Sequence, residues 1–207
     1  MTKIDWSQVS KHRQKLYLWN IPIKKSNSGE PGELFNEYLK KGDVVLDVGS
    51  GPTLAWYKSK FPGVTYKGLE IDKKFKADYR GFKEVKSNSV DVVLMISVIE
   101  HLSIEQARVY AREIKRVLKP RGLFVIATHN VFAIPNLQEY DITHVQHYPI
   151  ADLYALLEEE GFKLFKAYRV LDNRGLRKIR NLFKRILCQY ILGVDYAWAI
   201  QLAVQKP

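Results

Sequence analysis

The sequence predicts one α/β domain: a doubly wound, mainly parallel sheet that closes on a terminal antiparallel hairpin. Three observations point there. Apolar runs of strand length alternate with stretches of helical period along most of the chain. The run Val44-Val45-Leu46-Asp47-Val48 is nearly continuous, as expected of a strand covered on both faces. With 207 residues, 46% of them apolar, the chain can bury one sizeable core without staples.

In chain order, residues from about Trp6 to Trp19 read as a loosely patterned helix, and 1–33 as a helical cap. The polar SNSGEPG at Ser26 to Gly32 reads as a loop, followed by a short amphipathic helix with Leu34, Phe35, Tyr38 and Leu39. After the strand at Val44–Val48, Gly49-Ser50-Gly51-Pro52 turns the chain into a helix that stops before Phe61-Pro62-Gly63. Val64 to Ile71 is a second strand, and Lys73 to Lys86 shows no period. Val90 to Ile99 is the next strand. Ser103-Ile104-Glu105-Gln106 then forms a capping box, in which Ser103 accepts from the Gln106 amide and Gln106 reaches back. The helix behind it carries Ala107, Tyr110, Ala111, Ile114, Val117 and Leu118 on one face. Lys119-Pro120-Arg121-Gly122 ends it, and Leu123 to Ala127 is a strand. Pro149 opens and Gly161 closes a helix bearing Leu153, Leu156 and Leu157. Strands at Lys163 to Val170 and Trp198 to Val204 flank a basic helical insertion. The expected divisions are a core over 34–170, the insertion over 171–195 and the last strand within 196–207.

Composition excludes several classes. Cys188 is the one cysteine, so no disulfide framework or thiolate metal site is built from this chain alone. No apolar run approaches the roughly 18 residues of a membrane span. The charged start lacks a signal peptide's apolar stretch, so a cytoplasmic protein, at most peripheral to a membrane, is expected. Net charge is +11, which favours anionic partners. From Lys166 to Arg185 eight basic residues face a single acid, Asp172, so most of the excess sits there.

The most informative stretch is Asp47-Val48-Gly49-Ser50-Gly51. A glycine pair between strand and helix lets backbone approach a ligand at the helix N-terminus. An acid about 20 positions on can hold ribose hydroxyls, and Glu70 lies 21 after Gly49. These features fit a dinucleotide or an S-adenosyl cofactor. A dinucleotide site, however, wants a third small residue where Leu54 stands. Asp47 would face a diphosphate unfavourably but suits an amino or sulfonium group.

Four segments, Asp47-Val-Gly-Ser-Gly51, Gly68-Leu-Glu-Ile-Asp72, Asp91 to Leu102 and Arg116 to Val125, together resemble the class I S-adenosylmethionine-dependent methyltransferases, most closely the type 11 branch. The resemblance runs in order over Leu34 to Phe162 and implies a Rossmann-like fold and methyl transfer from S-adenosyl-L-methionine. It places the methionine part of the cofactor against Asp47, Gly49, Ser50 and Gly51. Glu70 would accept from both ribose hydroxyls, and Ile71 would pack on the adenine. Asp78 would bind the adenine amino group, with Tyr79 beside it. Met95 and Ile96 would offer carbonyls to the cofactor's amino group. Only eight positions separate Glu70 from Asp78, which implies a sheet trimmed at that edge.

The acceptor is less legible. Asp141-Ile142-Thr143-His144 resembles a segment of relatives that modify sugars and polysaccharides, and an imidazole suits removal of a hydroxyl proton. His144 and His101 are therefore the candidate catalytic residues. The expected acceptor is a hydroxyl of a sugar, glycan or lipid-linked intermediate, so the partner is a small-molecule or glycan acceptor. RNA is the alternative substrate, and a non-catalytic cofactor-binding module the alternative class. His129, His144 and His147 match no tight metal-ligand spacing, so no metal is expected. The basic amphipathic stretch 174–191 can pack on its own domain, dock a partner or lie on an anionic membrane.

Overall fold

The computed structural model describes residues 6–16, 20–133, 141–192 and 194–207. Seven strands form one sheet: β1 (Ile23–Ser26), β2 (Val44–Val48), β3 (Thr65–Leu69), β4 (Val90–Ile96), β5 (Leu118–His129), β6 (Lys163–Asp172) and β7 (Ala199–Gln205). Their order is β1-β6-β7-β5-β4-β2-β3. β7 runs antiparallel to both β5 and β6, and the remaining pairs are parallel. The expected fold class is the one found.

Strand alternation divides the core into two layers. Leu46, Val48, Val93, Met95, Phe124 and Ile126 face α4 (Ile104–Val117) and α5 (Ile150–Glu159). Val45, Val92, Leu94 and Val125 face α2 (Pro31–Phe35) and α3 (Leu54–Lys60). α1 (Trp6–Lys15) lies on α5, where His12 Nε2 is 2.6 Å from Glu158 Oε2. The predicted capping box opens α4, with Gln106 N to Ser103 Oγ at 3.3 Å and Ser103 N to Gln106 Oε1 at 2.8 Å.

Four expectations need correction. The N-terminal part is not wholly helical, because Ile23–Ser26 forms the parallel edge strand β1 beside β6. A four-residue Ile-Lys-Lys-Ser strand on an edge carries no apolar signature. α2 starts at Pro31 inside the expected loop, since proline suits the first helical turn. β4 stops at Ile96; Ser97 takes φ +52° and Ile99–His101 form a 3₁₀ turn. Lys119-Pro120-Arg121-Gly122 is a bulge within β5 rather than a free turn. Leu118 pairs with Val90 and Leu123 with Val92, and Lys119 Nζ holds Asp91 Oδ2 at 2.7 Å. The reading of a helix as far as Trp19 extends past the described residues 6–16.

Between β6 and β7 the chain forms α6 (Arg177–Lys184) and a π-helical continuation, Arg185–Leu192. A buried Arg169–Asp195 pair, 3.1 Å apart, ties its return to β6, and Asn130 Nδ2 donates to the same carboxylate at 2.7 Å. Among the described residues no helix is long and apolar enough to cross a membrane.

Candidate active site

The parallel strands β2, β3 and β4 end on the same edge of the sheet, and that edge gathers the predicted cofactor residues. Gly49 has φ +75°, and a Cβ there would meet Val98 Cγ2 at 2.4 Å, so glycine is required twice over. Its amide donates to Leu69 O at 2.8 Å, which draws the loop over β3. Gly68 is bare for packing: an added Cβ would lie 2.6 Å from Ser50 Oγ. Ser50 Oγ is buried and has no hydrogen-bond partner.

Glu70 stands at the loop mouth. One carboxylate oxygen accepts from Gly51 N and the other from Asp72 N, each at 2.9 Å. Ile71 beside it is 68% exposed, an apolar side chain facing water at the site's rim. Asp78 accepts from Gly68 N and from Lys67 Nζ, both at 2.9 Å, which hold its carboxyl below the ordinary range against the effect of burial. Its neighbour Tyr79 bridges to Leu69, one residue in place of a further strand. The sheet ends at β3, as the short Glu70–Asp78 spacing implies. Asp47 is 3% exposed, and burial, with the charge of Glu70 adding, pushes its carboxyl up to about 7. Met95 is buried in the α4 layer, while Ile96 reaches the opposite layer and lines a cavity.

The histidines come together from three elements. His101 closes the 3₁₀ turn after β4, His129 ends β5, and His144 lies in the segment before α5. The His101 and His144 rings stand edge to face at 4.9 Å, and His144 and His129 lie 5.5 Å apart. Glu100 sits beneath them, wholly buried. Thr128 Oγ1 donates to Glu100 Oε2 at 2.9 Å, and His129 Nδ1 lies 3.3 Å from Oε1, within ion-pair reach but not aligned as a hydrogen bond. Burial alone would raise this carboxyl, but the His129 imidazole and the Thr128 hydroxyl outweigh it and hold Glu100 below its usual range. The Glu100 carbonyl accepts from Val145 N at 2.9 Å, which fastens the His144 segment.

His129 also lines a cavity of about 210 Å³ with Ile96, Ser97, Trp56, Trp198, Asp172 and Arg174. A second cavity, of about 470 Å³, shares Asp172, Arg174 and Trp198 and adds Arg177, Arg180 and Lys184. Beyond it the insertion exposes Leu176, Ile179, Leu182, Phe183, Ile186, Leu187 and Ile191, with Leu176 at 83%. Cys188 turns inward against Leu171 and Tyr196. Sequence reasoning weighs the Glu100-His101 pair as a substrate-pocket candidate but keeps only His101, ranks His129 low and does not single out Trp56 or Trp198. A carboxylate directly before His101 at the end of an apolar run was a usable signal for Glu100. The tryptophans carried none, because only the fold brings α3 and β7 to one cavity.

A family profile described as a methyltransferase domain matches residues 26–167. No curated protein sequence matches the chain. Among solved structures, an S-adenosylmethionine-dependent methyltransferase from Archaeoglobus fulgidus is 19% identical, with 84% of this chain and 91% of that one covered and a TM-score of 0.62. One from Aquifex aeolicus is 16% identical over 99% of this chain and 100% of that one, at 0.56. Phosphoethanolamine N-methyltransferase 2 of Haemonchus contortus, in complex with S-adenosyl-L-methionine, is 15% identical over 97% of this chain and 57% of that one, at 0.59. Likeness at this identity shows a shared fold.

Proposed function

Since the chain belongs to the methyltransferase domain family, of the class I S-adenosylmethionine-dependent kind, we propose that it methylates a hydroxyl of a sugar, glycan or lipid-linked intermediate. One observation supports this choice of acceptor. The cavity at His129 shares Asp172, Arg174 and Trp198 with the basic cavity, which lies beside an exposed apolar helix. A sugar ring on the tryptophans, a phosphate on the arginines and a lipid chain along α6 would use each part of that surface.

The residues present suit the cofactor. Glu70 is fixed by two amides and keeps lone pairs for both ribose hydroxyls. Ser50 Oγ, buried and without a partner, calls for a ligand atom. Asp47, Gly49 and Gly51 would hold the methionine part, and the Met95 and Ile96 carbonyls its amino group. Ile71 would cover the adenine, with Asp78 and Tyr79 at its rim. Bound, S-adenosylmethionine supplies a methyl carbon on a sulfonium, open to in-line attack by an acceptor oxygen. The proton shed by the acceptor would pass to the imidazole cluster, in which His129 lines the cavity and His144 and His101 lie next to it.

Methyl-labelled S-adenosylmethionine offered with three acceptors tests this reading: a polyprenyl-phosphate-linked oligosaccharide, the same oligosaccharide free, and RNA. Label is expected in the lipid-linked acceptor. Combined Arg177→Gln, Arg180→Gln and Lys184→Gln should reduce it without changing affinity for S-adenosylhomocysteine. Label in RNA alone would point to nucleic-acid methylation. Tight cofactor binding with no label anywhere would mark a binding module.

A further inference from the structure

Among the described residues Glu100 is a wholly buried acid, costly to leave without a cation. A wholly buried carboxylate is retained where it is paired or binds metal. Its Oε2 has the Thr128 hydroxyl, but Oε1 has no hydrogen-bond partner, and it opens toward the imidazoles. One ligand atom each from Glu100, His101 and His144 lies within 4.8 Å of the other two. We propose that these three residues form a binding site for a divalent transition-metal cation of the zinc class.

The chemistry of the set is specific. Two imidazoles and one carboxylate are three protein ligands, the number that leaves a coordination position open, and imidazole selects zinc-like ions over magnesium. His101 is already oriented. Its Nδ1 lies 3.0 Å from Thr143 O, which can only accept, so Nδ1 carries the proton and Nε2 keeps the lone pair a metal needs. Asp141 Oδ2 stands 3.7 Å from His144 Nε2, where a carboxylate can back that imidazole. Backbone bonds from Val145 and Gln146 to the Glu100 carbonyl, at 2.9 and 3.3 Å, hold His144 over the carboxylate. His101 is exposed, which gives the ion a path from solvent.

The site rests on the methyltransferase reading only for its use. Beside the His129 cavity, the open position would take an oxygen of the acceptor, and His129 would then be the imidazole left to receive the proton. Binding itself is independent of that use. The rival is a His129 ring that accompanies the Glu100 carboxylate without any metal.

Calorimetric titration of the full, chelator-dialysed chain with Zn²⁺, and separately with Mg²⁺, decides between them. One Zn²⁺ per chain is expected, with Mg²⁺ much weaker. His101→Ala and His144→Ala should each weaken Zn²⁺ binding at least tenfold, and His12→Ala, at a histidine elsewhere, should not. Co²⁺ should give visible absorption bands that His144→Ala abolishes. Unchanged S-adenosylhomocysteine affinity shows that a variant is folded, and if His144→Ala fails that check, exposed His101 decides. A wild type that takes up no Zn²⁺, or wild-type Zn²⁺ affinity in both variants, would overturn the site. Neither titration needs acceptor or methyl transfer, so failure of the proposed function leaves this result readable.

Discussion

Two acids at neighbouring strand ends, Asp47 on β2 and Glu100 just after β4, are both buried, yet their carboxyls shift in opposite directions. Among the described residues no ion pair reaches Asp47; burial, with the Tyr66 hydroxyl opposing and the charge of Glu70 adding, drives it up to about 7. Glu100 has an imidazole at 3.3 Å and a hydroxyl at 2.9 Å, and it stays below its ordinary value. Burial sets the penalty for a charge, and the partner decides whether the charge survives. The first environment suits an incoming cationic group. The second is already held by an imidazole and a hydroxyl.

The largest expected effect lies at Asp47. Its folded value is raised from 3.8 to about 7, so between those pH values the folded chain holds a proton that the unfolded chain has lost. Stability therefore falls as pH rises through that window, by on the order of 4 kcal/mol. Asp47→Asn should remove this component. Denaturant midpoints at pH 4.5 and 7.5 for both proteins measure it, and an identical pH dependence would break the contrast.

His129→Ala should act oppositely. It removes the imidazole that lies 3.3 Å from Glu100 Oε1 and leaves that buried oxygen uncompensated, at a cost of about 1–3 kcal/mol. Glu100 is held below its ordinary 4.5, so its stabilisation is present above that value and lost as pH falls through the folded one. The variant's deficit, measured by denaturation in chelator, should accordingly shrink at pH 3.5. A deficit that does not depend on pH would mean lost packing rather than lost charge pairing.

Glu70 sharpens the comparison at the smallest scale. Glu70→Ala should weaken S-adenosylhomocysteine binding by about 1.5–3 kcal/mol, roughly 10- to 150-fold, through lost charge-assisted hydrogen bonds. It should also lower the Asp47 value, since Glu70 helps to raise it. Asp78→Ala should matter less for binding, because that carboxylate is committed to Lys67 and Gly68. Calorimetry compares the three proteins, and wild-type affinity in Glu70→Ala would remove that residue from the site.

Much of the candidate cofactor edge was legible because it is local. Gly49, Ser50, Gly51 and Glu70 belong to one strand–helix–strand unit, and the Ser103–Gln106 box closes within four residues. Edge strand β1 was not legible, because Ile-Lys-Lys-Ser earns its place only through pairing with β6. The insertion shows a further limit. α4 and α6 share an amphipathic basic pattern, yet α4 buries Ala111, Ile114 and Val117 while α6 leaves Ile179, Leu182 and Phe183 exposed. Pattern states which residues share a face, and what covers that face depends on the neighbouring elements.

By itself the sequence determined the alternation of strands and helices, the doubly wound sheet and the glycine loop facing Glu70, because hydrophobic period and turn chemistry act between residues close in the chain. Only the tertiary structure decided that Glu100, His101, His129 and His144 meet. β4, β5 and the segment before α5 converge there through sheet order and the amides held by the Glu100 carbonyl. It also decided the opposite states of Asp47 and Glu100. A carboxyl's protonation answers to the charges and water around it, and those are set by packing across the fold.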